Sequence, residues 1–171
     1  MAWLGVRAGA INLLVPGTDV LEVLPFTGCS GVPLTRPHFR GLSNVRGSLF
    51  SVIDLPALLG FASVPVGPEA RLLLLAPSHM RHTALLINRL LGLYPEPPVN
   101  PAGAAEGLSG LADVAPAAVL PPDSAAFLGQ PRMDAQDLVW HVLDCAALVA
   151  LPSFVDVGAP EIAIGWSGAL A

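Results

Sequence analysis

Two aspartates come first, because each closes a copy of the same short pattern. Phe50-Ser51-Val52-Ile53-Asp54-Leu55-Pro56-Ala57-Leu58-Leu59 aligns without a gap on Trp140-His141-Val142-Leu143-Asp144-Cys145-Ala146-Ala147-Leu148-Val149, at a constant offset of 90 residues (144 − 54). Paired carboxylates in related halves can share one proton and serve as acid and base, as in aspartic hydrolases. Those enzymes follow each Asp with Thr or Ser and then Gly; here Leu55-Pro56 and Cys145-Ala146 follow. An aspartate that ends a β-branched run and begins a stretch of helix formers has a cheaper role. Its carboxylate caps a short helix by accepting hydrogen bonds from the first free backbone N–H groups. Capping explains Asp54 and Asp144 together and predicts two similar small β units.

The remaining reactive side chains form no catalytic set. His38, His79, His82 and His141 lack H-x-x-x-H or HExxH spacing, and no neighbouring Cys or carboxylate completes a metal set. Ser51 and Ser78 sit in no G-x-S-x-G elbow. Cys29 and Cys145 have no CxxC spacing and read as buried free thiols. The sequence therefore predicts no catalytic residue, no metal and no cofactor.

Arginine is the exception. Arg36, Arg40 and Arg46 place three of the eight positive charges within eleven residues, which makes either a solvated face or a basic spot for an acidic partner. Arg46, between Val45 and Gly47, can offer its planar fork to a partner's carboxylate or carbonyls, or clamp carbonyls of its own loop.

Composition narrows the classes further. All 8 basic residues are arginine, the net charge is −5, and no phosphate-cradling glycine loop is visible. Nucleic acid is thus excluded as the main partner, since phosphate binding needs clustered positive charge. The chain is 53% hydrophobic, yet no apolar run approaches the ~18 residues of a membrane span. No basic start followed by an apolar stretch marks a signal peptide, so the expected location is cytoplasmic, without direct membrane insertion. With 12% charged residues, apolar area must remain exposed, which points to protein partners.

Gly 17 and Pro 18 disfavour long helices and favour short strands joined by turns. Residues 2–7 and 11–15 read as a hairpin around Gly9-Ala10, and so abrupt a start suggests a segment upstream. Val20-Leu21-Glu22-Val23-Leu24 is open between helix and strand, 27–37 is a loop, and 37–45 is a short helical turn. Strands follow at 48–53, 71–75, 83–90 and 138–143, with short helices at 55–59 and 145–151. The run Arg71-Leu72-Leu73-Leu74-Leu75 is apolar enough to be covered on both faces. A further strand is expected within 108–119. Trp3, Trp140 and Trp166 read as core or interface anchors, and Ile87, Leu90 and Leu91 as residues near the junction of the two units.

The stretch Gly41-Leu42-Ser43-Asn44-Val45-Arg46-Gly47-Ser48-Leu49-Phe50-Ser51-Val52-Ile53-Asp54-Leu55 resembles the signature of CheW-like domains. That signature is a G-x-x-N-x-R-G turn followed by an apolar strand ending in Val-Asp-Leu. Gly41, Asn44, Arg46, Gly47, Val52, Asp54 and Leu55 match it, with Ile53 as a conservative neighbour. The likeness covers residues 3–90 and stays collinear to about 150. Within the family, Trp3-Leu4-Gly5-Val6-Arg7, Ile11-Asn12-Leu13-Leu14-Val15 and Pro33-Leu34-Thr35-Arg36-Pro37 most resemble the PilI-type adaptors of type IV pili and twitching motility.

The resemblance implies a mainly β fold of two five-stranded SH3-like β-barrels with a few short helices. It implies one domain over 1–151, with halves near 1–68 and 69–151, and a tail at 152–171. It further implies a non-enzymatic adaptor coupling methyl-accepting chemoreceptors to a CheA-type histidine kinase, peripheral to the membrane through receptor arrays. Arg46 would contact a partner, with Asn44, Val45, Gly47, Arg40 and Arg36 around it; Gly41, Asp54 and Asp144 would be structural. The alternatives are an adaptor of flagellar chemotaxis, a module cut from a larger kinase, a ligand-binding barrel without signalling, and the hydrolase built on Asp54 and Asp144.

Overall fold

The computed structural model describes residues 2–97 and 120–158. The strand expected within 108–119, and Trp166, lie outside them. The opening hairpin forms as β1 (Trp3–Ala8) and β2 (Ile11–Pro16), paired antiparallel around Gly9-Ala10. After a single 3-10 turn the ambiguous segment resolves as strand β3 (Val20–Pro25), as its β-branched content favours.

The segment 37–45, expected as a helical turn, is instead strand β4 (Phe39–Val45), joined directly to β5 (Ser48–Asp54). Phe39, Leu42 and Val45 recur at a helical spacing, but the turn chemistry downstream overrides it. Val45 and Ser48 pair across Arg46-Gly47, whose φ angles are +52° and +86°. Two consecutive left-handed residues make the hairpin turn whose twist matches that of paired strands. A helix entering such a turn would leave the β5 edge unpaired.

The chain then builds α1 (Leu55–Leu58), β6 (Arg71–Leu75), β7 (Thr83–Ile87) and β8 (Arg89–Tyr94). The run expected as one strand at 83–90 divides at Asn88. There the backbone N–H donates to the Arg7 carbonyl and the side-chain oxygen accepts from Gly9 N, and the chain passes to the other sheet. The last elements are β9 (Arg132–Met133), β10 (Val139–Val142), α2 (Cys145–Val149) and α3 (Pro152–Val155). No described helix is long and apolar enough to cross a membrane.

Two five-stranded sheets result, in the orders β8-β1-β2-β10-β9 and β3-β6-β7-β5-β4. Each draws strands from both sides of residue 68. The repeated units fall one in each sheet, β5 beside β7 and β10 beside β2, and both of these pairings are parallel. The closed barrels expected from the resemblance are not what the ladders show. Among the described residues, β8 and β9 remain edges of one sheet, and β3 and β4 edges of the other. In the second sheet the outer side of β4 is taken up by the Ser30–Leu42 bridge, and β3 carries a bulge at Leu21. No ladder joins those two edges among the described residues.

The sheets pack on a shared core. Leu13 and Val15 of one sheet meet Leu73, Leu75, Leu85 and Ile87 of the other, and Leu148 and Phe154 seal the end. Leu72, Leu74, Ala84 and Leu86 point the opposite way, onto Phe26, Phe50 and Val64. The apolar run of β6 is thus covered on both faces, as expected, and so is that of β7. Leu90 packs against the shared core from the next strand, and Leu91 joins Trp3, Tyr94 and Trp140 on the far side of the first sheet.

Both cysteines are free, Cys145 buried and Cys29 half-buried. Burial, together with the carboxylates of Asp19 and Asp144, pushes the Cys145 thiol up to about 12. Below the ordinary thiol value of 9.0 the protonated thiol's contribution to stability is complete, and it drains away as pH rises toward about 12. Denaturant midpoints taken at about pH 8 and about pH 10.5 should therefore fall further for wild type than for Cys145→Ala. In the folded protein at about pH 8, iodoacetamide should leave Cys145 unmodified.

Candidate functional site

The two repeated aspartates do the same local job in different surroundings. Asp54 Oδ1 accepts from Ala57 N at 3.1 Å, and Asp144 Oδ1 accepts from Ala147 N at 2.9 Å. Their backbones agree, at φ −76°, ψ 98° and φ −91°, ψ 99°. Asp144 is exposed, whereas Asp54 is fully buried. The second oxygen of Asp54 accepts from Val64 N at 3.0 Å and from the Arg40 guanidinium at 2.9 Å. With both of its oxygens committed in this way, Asp54 does not offer the shared-proton geometry of a carboxylate dyad.

The basic spot expected from Arg36, Arg40 and Arg46 is not assembled. Arg40 is the extra residue of a bulge in β4, which turns its side chain down onto Asp54 and over the Phe26 ring, 5.8 Å from its centroid. Arg36 is held by the segment after α3. Its Nε donates to the Asp156 carbonyl at 2.8 Å and its backbone N–H to the Val157 carbonyl at 2.7 Å. Beside it the buried His38 ring meets the Ser153 carbonyl at 2.8 Å, and burial, followed by the charge of Arg36, keeps its pKa below the ordinary value.

Arg46 stands apart, beyond the opposite end of β4, with its side chain 72% exposed. Its fork closes on Glu22 of β3, Nη1 donating to Oε2 at 2.8 Å and Nη2 to Oε1 at 2.6 Å. Asn44 holds the turn beneath it by accepting from Gly47 N at 2.8 Å. The Glu22–Arg46 pair thereby spans the two edge strands that no ladder joins. The pair lines a groove of about 480 Å³ together with Val45, Phe50, Leu74 and Leu75. Arg81 and His82 line it too, and His82 has a left-handed φ of +52° and packs on the Phe50 ring at 5.3 Å. Strained non-glycine residues such as Arg46 and His82 persist where surrounding structure over-determines them, and they gather at functional sites.

Of the residues expected to contact a partner, the structure brings Val45 and Arg46 to this groove, places Asn44 and Gly47 in its supporting turn, and sends Arg40 and Arg36 elsewhere. Glu22, Leu21, Phe50, Arg81 and His82 were not legible as site residues. No local pattern couples position 22 to position 46. The bulge that exposes Leu21 and aims Glu22 follows from register, not from residue type. Among the described residues no group of His, Cys, Asp and Glu could hold a metal ion.

A family model described as "CheW-like domain" matches residues 2–152. Protein FrzA of Myxococcus xanthus is 35% identical over 66 residues, which is 39% of this chain and 41% of that protein. The match thus spans about two fifths of that relative's length. In three dimensions the chain is similar to the scaffolding protein TtCheW from Thermoanaerobacter tengcongensis, with a TM-score of 0.61 at 16% identity over 88% of this chain and 93% of that one. At that identity the likeness is one of fold.

Proposed function

This chain belongs to the CheW-like domain family, and from that premise we propose that it is a non-enzymatic adaptor which couples methyl-accepting chemoreceptors to a CheA-type histidine kinase. Its work is geometric: one surface holds the kinase's regulatory domain, another meets the receptor hairpin tip, and signals pass by shifting the populations of packed states. The observation that carries the reading is the exposed bidentate fork of Arg46 lining an apolar groove. Planar two-point recognition of a carboxylate is what arginine supplies and lysine does not. Asn44 and Gly47 hold that fork in place, Val45 lines the groove, and Arg40 and Arg36 brace the strand from its other end. The similarity to a scaffolding protein and to FrzA supports the class.

Reconstitution tests it. Kinase autophosphorylation should rise when receptor and this chain are added together, and by neither alone. Arg46→Ala should lose tenfold or more of that stimulation, while its melting temperature stays within a few degrees, because an exposed pair contributes about 0–1 kcal/mol. A kinase that ignores the chain would refute the adaptor reading. We assign the chain to pilus control on the likeness of its first strands and its Pro33-Leu34-Thr35-Arg36-Pro37 segment to PilI-type adaptors. Deleting it should abolish twitching and leave swimming intact; the reverse phenotype would place it in flagellar chemotaxis.

A further inference from the structure

We propose that a cleft between the starts of β6 and β8 binds a phosphate monoester, gripped by Arg71 and Arg89. The cleft shares no residue with the groove at Arg46, and the proposal stands whether or not the chain is an adaptor.

The cleft has a volume of about 440 Å³ and is lined by Pro68, Glu69, Arg71, Arg89, Leu90 and Leu91. Its two arginines come from different sheets, Arg71 opening β6 and Arg89 opening β8. Topology brings them together. Arg71 pairs with Ile87 of β7, and the chain then crosses to the other sheet through Asn88. That crossing is pinned on both sides of Asn88. Its N–H donates to the Arg7 carbonyl at 3.0 Å, and its side-chain oxygen accepts from Gly9 N at 2.7 Å. Small ligands bind preferentially in clefts between packed units of this kind. The basic spot that Arg36, Arg40 and Arg46 do not assemble is assembled here.

Both guanidinium groups have donors to spare. Arg71 is half-buried, and its Nη1 donates to the Pro68 carbonyl at 2.6 Å and to the Ala70 carbonyl at 2.9 Å. Those bonds set the fork in place before any ligand arrives, so less freedom is lost on binding. Arg89 is exposed, and among the described residues its guanidinium has neither a hydrogen-bond acceptor nor a carboxylate partner.

The donors select the ligand. A carboxylate is satisfied by one arginine fork, whereas a phosphate dianion with three terminal oxygens accepts from two guanidinium groups at once. The cleft is larger than a phosphate ion, which leaves room for the esterified group. Glu69 is the single acidic residue of the lining; it is exposed and pairs with neither arginine. Its carboxylate accepts from a hydroxyl or ammonium on that group and repels a second phosphate. A monoester is thereby favoured over a diphosphate.

Calorimetric titration of the whole chain tests the site. The probes are glycerol 3-phosphate and a short peptide bearing one phosphoserine, with succinate and pyrophosphate for comparison. At least one monoester should bind about tenfold more tightly than succinate or pyrophosphate. The tighter of the two shows whether a free small molecule or a protein side chain supplies the phosphate. Arg71→Ala and Arg89→Ala should each weaken binding about tenfold or more. Arg132→Ala removes the same charge from exposed β9, at the opposite edge of that sheet from β8, and should bind as wild type does. Arg89 has no side-chain partner to lose among the described residues, so an unaltered melt of Arg89→Ala keeps the test decisive even where Arg71→Ala fails to fold. Wild-type protein that binds neither monoester overturns the proposal. So does an equal loss in Arg132→Ala, or succinate or pyrophosphate that matches the better monoester.

Discussion

Asp54→Ala should cost about 3–5 kcal/mol of folding stability, and Asp144→Ala, at the matching place in the repeat, about 1 kcal/mol. The two carboxylates cap their helices alike, so removing either leaves one helix-start N–H without its acceptor. That shared loss is the cap energy. Beyond it, Asp54 is wholly buried and its second oxygen ties Val64 N and Arg40 into one network. Its loss leaves the Val64 N–H buried without a partner and the half-buried guanidinium without its counter-charge. Asp144 is exposed, and water replaces whatever its side chain gives up. Urea midpoints of the two variants decide the matter. Equal costs would mean that the buried pair adds nothing beyond the cap. An apolar double change, Asp54→Leu with Arg40→Met, should cost less than Asp54→Ala, because it removes the charged group together with its partner.

That contrast also shows what the sequence could reveal. The repeat announced both caps, because a β-branched run, an Asp and a helix-forming stretch are local signals. The opening hairpin, the separate strands β6 and β7, and the short helices after each Asp were legible for the same reason. What decides the difference between Asp54 and Asp144 is the β4 bulge, which swings Arg40 onto one of them, and a bulge is a property of two strands in register. The misread segment 37–45 has a related cause: its apolar spacing suits a helix, and only the left-handed pair Arg46-Gly47 makes it a hairpin arm. The Arg46 turn could be singled out from residue types, but its occupant Glu22 lies 24 positions away on a strand brought near by topology. Closed barrels were expected by likeness; what covers the outer side of β4 depends on where Ser30 lands.

Gly41→Ala should cost about 3–5 kcal/mol, whereas Gly47→Ala should cost about 1–2 kcal/mol. Both glycines have left-handed backbones, φ +133° and +86°, so each resists a side chain on conformational grounds. They differ in what the added carbon meets. At Gly47 nothing lies within 4 Å, and the cost is the strain of the turn alone. At Gly41 a Cβ would sit 2.1 Å from the Ser30 carbonyl oxygen and 2.7 Å from its carbon. That carbonyl is a backbone group in a reciprocal pair, accepting from Leu42 N at 2.8 Å while Ser30 N donates to the Leu42 carbonyl at 2.8 Å. Relief requires the loop to lift, which breaks both bonds and uncovers the outer side of β4. An uncovered edge strand is a template for another chain. Gly41→Ala should therefore show a lowered urea midpoint together with concentration-dependent association on sizing, and Gly47→Ala should remain unassociated. If Gly41→Ala melts like Gly47→Ala, the Ser30 bridge does not hold β4.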